Sequence, residues 1–95
     1  MTNNNNQISV TYTDSELRNL VEEYITQQKF GFTLKGVCSY ILYWAVEDGK
    51  TAEGKNLIES DVLSYEEQVR VRQVLEEIVE DGRIAANNGE TYRKL

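Results

Sequence analysis

The sequence predicts a single α+β domain in which three helices are followed by a C-terminal β-hairpin. Three observations predict it. Thr13 and Ser64 each precede a glutamate three residues on (Glu16, Glu67), the signature of a helix-starting capping box. Apolar residues recur at helical spacing in three separate segments, each ended by a glycine. Finally, Asn88-Gly89 lies between two short apolar runs, the strongest short-range hairpin signal because both residues tolerate positive φ.

Along the chain, residues 1–10, with four consecutive asparagines, read as a disordered polar tail, and residues 11–95 as one domain. From Thr13, the apolar positions Leu17, Leu20, Val21, Tyr24 and Ile25 define the first helix, which fades at Gln27–Lys29 before Gly31. Phe30-Gly31-Phe32 is a connector or a brief strand. Thr33 caps a second helix that runs to about Glu47 and stops at Asp48-Gly49. It is apolar almost all round, so one side is core and another has a further cover. The stripe Val37, Ile41, Trp44 and Ala45 is assigned to the core. Tyr40 and Tyr43 fall to one side, either as a partner surface or as cover for neighbouring loops.

Lys50–Asp61 has no period and reads as a loop, pinned by Leu57 and Ile58. The third helix opens at Ser64, carries the stripe Val71, Val74, Leu75, Ile78 and Val79, and ends at Asp81-Gly82. Of two hairpin registers, a three-residue loop Asn87–Gly89 sets Ile84 opposite Tyr92 and a two-residue turn sets it opposite Arg93. The first lets both large apolar side chains face the helices.

This order of elements resembles the winged helix-turn-helix family over roughly Thr13 to Leu95. The resemblance is carried by the run Val74–Ile84 followed by Asn87-Asn88-Gly89-Glu90-Thr91-Tyr92. It implies a winged-helix-like domain whose third helix enters the DNA major groove while the hairpin, or wing, touches the backbone or minor groove. Carried over residue by residue, it implies DNA contacts from Tyr65, Glu66, Gln68, Arg70, Arg72 and Gln73 on the helix and Asn87, Asn88 and Arg93 on the wing.

Charge tempers this. Ten Lys and Arg against sixteen Asp and Glu give a net charge of −6, the wrong sign for broad nucleic-acid or membrane affinity. The third helix is itself acidic, although Glu76 to Asp81 fall in its C-terminal half, away from DNA in the family's docking mode. Enzymatic chemistry finds little support. The chain has no histidine and no Gly-rich phosphate loop, and its one cysteine, Cys38, sits among apolar residues as an inert thiol. The pairs Glu76/Glu80 and Glu77/Asp81 read as a solvated helix face, and Arg70 and Arg72 as candidate ion-pair partners of Glu66 and Glu76. The window Asp48–Glu59 fails as a calcium loop because Lys50, Ala52 and Glu53 replace its ligands and glycine. No cofactor or metal is expected. Neither a signal peptide nor a membrane span is legible, so the cytoplasm is the expected compartment. Two functions stand: a non-enzymatic DNA-binding transcription regulator, acting on duplex DNA as a dimer, or an acidic protein-interaction module using Tyr40 and Tyr43 against a protein partner or a second copy.

Overall fold

A computed structural model of the chain describes residues 6–52, 61–88 and 90–95. It is an α+β domain with the order β1 (Asn6–Ile8), α1 (Asp14–Gln27), β2 (Gly31–Thr33), α2 (Leu34–Glu47), β3 (Asp61–Leu63), α3 (Tyr65–Glu80), β4 (Ile84–Ala86) and β5 (Thr91–Lys94). Among the described residues no helix is long and apolar enough to cross a membrane.

Each helix starts where a side chain replaces a missing backbone partner. Thr13 and Glu16 form the full reciprocal capping box. Thr33 accepts from the Gly36 N–H, as expected of the second cap. The second capping box, at the start of α3, is only half formed. Ser64 Oγ accepts from the Glu67 N–H, but the Ser64 N–H is already given to the Ile8 carbonyl. Glu67 is therefore not needed there and turns to Arg70. Gly49 and Gly82 follow α2 and α3 at φ +69° and +80°, the left-handed geometry that stops a helix cheaply.

The core is one cluster drawn from every element. Leu17, Val21 and Ile25 of α1, Val37, Ile41 and Ala45 of α2, and Val71, Leu75 and Ile78 of α3 are all buried, with Val74 and Val79 packed at its margin. Trp44 departs from the expected core stripe of α2. It is 37% exposed, and Leu34, Cys38 and Leu42 are buried instead. The helix is apolar on so many sides that its inward face is set by what surrounds it, and β3 packs on the Leu34/Cys38/Leu42 side.

The segment Asn6–Val10, expected in the polar tail, is part of the fold. β1 pairs in parallel with β3, Ile8 facing Leu63, and both side chains are almost fully buried. Val10 bridges Thr51, and the Thr11 and Ala52 amides bind the Lys50 and Ser9 carbonyls, so this strand also clamps the residues after α2. The expected loop Lys50–Asp61 accordingly ends in a strand. Its anchors Leu57 and Ile58, most of the Asp48–Glu59 window and Met1–Asn5 lie outside the described residues.

The hairpin gains a third strand. Phe30-Gly31-Phe32 supplies β2, giving an antiparallel sheet in the order β2-β5-β4. The β4–β5 register differs from the expected one: Ile84 faces Lys94, and Ala86 faces Tyr92. The slip is two residues, so parity survives and Ile84 and Tyr92 both still point inward. Local bonds at the turn account for it. The Asn87 N–H binds the Thr91 carbonyl, and Asn88 Oδ1 accepts from the Glu90 N–H and the Thr91 hydroxyl, centring the loop one residue later.

On β2, Phe32 stacks on Tyr92 with ring centroids 5.4 Å apart. Its neighbour Gly31 has no room for a side chain, because a Cβ there would stand 2.7 Å from the Tyr92 carbonyl oxygen. Gly31→Ala is therefore expected to push β2 away from β5 and cost about 1–3 kcal/mol. A lowered urea midpoint, with β2 and β5 amides losing exchange protection before α1, would register this. Unchanged stability would show that the strands can separate freely.

Candidate functional site

The residues that the winged-helix resemblance assigns to DNA divide into two groups. Tyr65 at the start of α3 is 66% exposed, and Glu66, Gln73, Asn87, Asn88 and Arg93 are exposed as well. Arg93 stands on the outer face of the sheet between Gly31 and Ala85. Neither neighbour can cover its guanidinium, which makes no ion pair with the described residues.

The others are engaged inside the protein. Gln68 is half-buried and donates from Nε2 to the Leu63 carbonyl at 2.9 Å, closing the turn between β3 and α3. Arg70 donates to Asp14 at 2.8 Å, to the Tyr12 carbonyl at 3.0 Å and to the buried Glu67 at 2.5 Å. Burial by itself would lower the Arg70 pKa, but hydrogen bonds to Asp14 and Glu67 outweigh it and hold the guanidinium above its ordinary value. Arg70 is thus a strut between α3 and the start of α1, not the Glu66 partner that spacing suggested. Arg72 likewise passes over Glu76 and pairs with Glu90 in the hairpin loop at 2.8 Å. That contact ties the loop to α3, and it places a carboxylate where a phosphate would have to compete.

Two residues of this region carried no sequence signal. Lys35, at the start of α2, lines a groove of about 420 Å³ together with Gln68 and Glu90, so α2, α3 and the hairpin loop converge there. Glu90 reads in sequence as an ordinary turn residue, and its role depends entirely on the fold bringing it to Arg72. Cys38 lines the same groove but is buried, and burial pushes its thiol up to about 11, which keeps it protonated and unreactive near neutral pH.

The partner residues of the second reading sit across the molecule. Tyr40 is half-buried, and its hydroxyl accepts from Gln27 Nε2 at 3.2 Å and donates to Glu23 at 3.3 Å. Tyr43 is 54% exposed and meets the Trp44 ring edge-on at 5.4 Å. Tyr43 and Trp44 thus form an exposed aromatic pair on α2, with Tyr40 beside them.

Three carboxylates of α1 and α3, Asp14, Glu22 and Glu77, are taken up in ion pairs that cross between the two helices. Arg18 of α1 bonds Glu77 of α3 at 2.5 Å, and Arg83, just after α3, bonds Glu22 of α1. The Arg83 hydrogen bond holds the Glu22 carboxyl below the usual range. Among the described residues no group of three or more Cys, Asp or Glu side chains is placed to hold a metal ion. Comparisons of the chain with protein families, with curated proteins and with solved structures found no match.

Proposed function

We propose that this chain is a non-enzymatic winged-helix protein that binds duplex DNA through the start of α3 and the β4–β5 hairpin, in a regulatory role. The observation that carries the reading is the association of these two elements. The hairpin is completed by β2 in the order β2-β5-β4 and held against α3 by the Arg72–Glu90 pair. Tyr65, Asn87, Asn88 and Arg93 are exposed on these two elements, and Gln73 is exposed on the side of α3 that faces α1. Tyr65, Gln73 and the asparagines offer hydrogen-bonding groups to base edges or sugars, and Arg93, Lys35 and Arg72 offer cations to phosphates.

Few cations make a weak, salt-sensitive footprint. Glu90 makes it weaker, because Arg72 must leave a carboxylate before it can meet a phosphate. An amide NMR titration with a mixed-sequence duplex tests this. Shifts at residues 65–73 and 87–93 are expected at low salt, fading towards physiological salt. Arg93→Ala should lower the salt slope by about one, and Glu90→Gln should tighten binding by removing the carboxylate that competes with phosphate for Arg72. Absence of shifts at low salt, where attraction is greatest, would overturn the reading.

The second reading, an acidic interaction module that does not bind DNA, is favoured by one observation: Arg70, a principal expected DNA contact, is spent in holding Glu67 and Asp14. It predicts a silent duplex titration.

A further inference from the structure

We propose that the groove between α1 and α2 is a docking site for a cationic amphipathic segment of a partner protein, one that presents arginine or lysine beside apolar side chains. The groove is open, with a volume of about 660 Å³. Its apolar surface comes from Leu20, Tyr40 and Trp44, and its charged groups are the carboxylates of Glu23 and Asp48. Among the described residues no lysine or arginine lines it. The cations nearest along the chain are Arg18, which pairs with Glu22 and Glu77, Lys50, which leans towards Glu16, and Lys29, two residues after Gln27. Glu47 adds a further exposed carboxylate one turn beyond Tyr43 on α2.

The aromatic side chains are fixed before any partner arrives. Tyr40 is bonded to Gln27 and Glu23 across the groove, packs on Tyr24 with centroids 5.2 Å apart and meets Trp44 at 6.4 Å. Tyr24 in turn meets Phe32, which stacks on Tyr92 in the sheet. The exposed rings therefore end an aromatic row rooted in the core. Rigid Tyr and Trp side chains lose little entropy on binding and are the usual anchors of interfaces. Ring faces beside carboxylates suit a guanidinium or ammonium, which gains cation–π and ionic contacts together. The same charges argue against other occupants. A second copy docked face to face would set Glu23, Glu47 and Asp48 against their own counterparts, and nucleic acid brings the wrong sign.

Trp44 is the only tryptophan of the chain, so its indole emission and indole N–H resonance report on this groove alone. The test uses the full chain and two synthetic helical peptides, one with a leucine face and an arginine face, the other with glutamate at each arginine position. The arginine peptide is expected to shift the Trp44 signals saturably, with affinity falling as salt rises, and the glutamate peptide to leave them unmoved. Glu23→Gln combined with Asp48→Asn should weaken binding on the order of tenfold. Because Asp48 also accepts the Tyr12 hydroxyl, Glu23→Gln alone, which removes one exposed carboxylate of the groove and keeps an acceptor for the Tyr40 hydroxyl, provides a second variant and should weaken binding without moving the unfolding midpoint. Equal responses to both peptides, no response to the arginine peptide, undiminished affinity in both variants, or Trp44 shifts that track protein concentration alone would each overturn the proposal. DNA binding is read at α3 and the hairpin and peptide docking at α1 and α2, so either can fail without the other.

Discussion

Replacing Leu75 with alanine is expected to lower the unfolding free energy by about 3–4 kcal/mol, the usual range for removing a fully buried leucine from a packed core. Leu75 has no exposed surface and sits in the middle of the α3 stripe, between Val71 and Ile78 in the shared cluster. Its loss removes transfer energy and leaves a cavity that three short helices cannot close without giving up other contacts. For a domain whose total stability is about 5–15 kcal/mol, that is a large fraction. Gln73→Ala, two residues away and exposed, is the matched control and should stay within about 0.5 kcal/mol of the parent. Urea denaturation monitored through Trp44 measures both. A lower midpoint at unchanged slope is expected for Leu75→Ala only, whereas equal effects would mean that α3 is not seated on the core through this face.

The second large effect is expected at Arg70. Arg70→Ala should cost about 2–3 kcal/mol, because Glu67 would be left in the interior without the guanidinium that compensates its burial. The same change severs α3 from Asp14 and the Tyr12 carbonyl, loosening the start of α1. A purely structural role makes a further demand: Arg70→Met with Glu67→Leu, which removes both charges and keeps the volume, should recover most of the loss. If Arg70→Ala instead left the unfolding midpoint in place and abolished duplex binding, Arg70 would be a DNA reader after all and the strut assignment would fall.

These residues also show what was legible in the sequence. Helix starts depend on side chains three residues apart, so Thr13, Thr33 and Ser64 could be read directly, as could Gly49 and Gly82 at the ends of α2 and α3; α1 instead ends at Gln27 on an extended Gln28, and the expected stop Gly31 belongs to β2. The partners of Arg70 and Arg72 could not. Spacing along a helix offered Glu66 and Glu76, but Asp14 and Glu90 come from other elements, and only the fold brings them near. A helix apolar on most sides has no phase of its own, so pattern alone cannot place Trp44 outside the core. At Asn6–Ile8, asparagine-rich composition masks an alternation, Ile8, Val10 and Tyr12 with polar residues between, that is itself a strand signal. Hairpin parity was readable from the burial of Ile84 and Tyr92, while its register depended on bonds made by Asn88 that composition does not encode. For the candidate site, exposure of Tyr65, Asn88 and Arg93 followed from pattern, but the carboxylate that shares Arg72 did not.

The pairing of Ile8 with Leu63 has a consequence for synthesis of the protein on the ribosome. β1 emerges first but has no strand to lie against until more than half of the chain has followed it, and β2 waits for β5 near the other end. Through that interval only the local helices can form, and Ile8, Val10 and Phe32 remain open to solvent and to chaperones. The two sheets act as late fasteners on a helical intermediate. A nascent chain halted before Thr91 is made would therefore hold its helices but neither its three-stranded sheet nor the complete surface proposed to meet DNA.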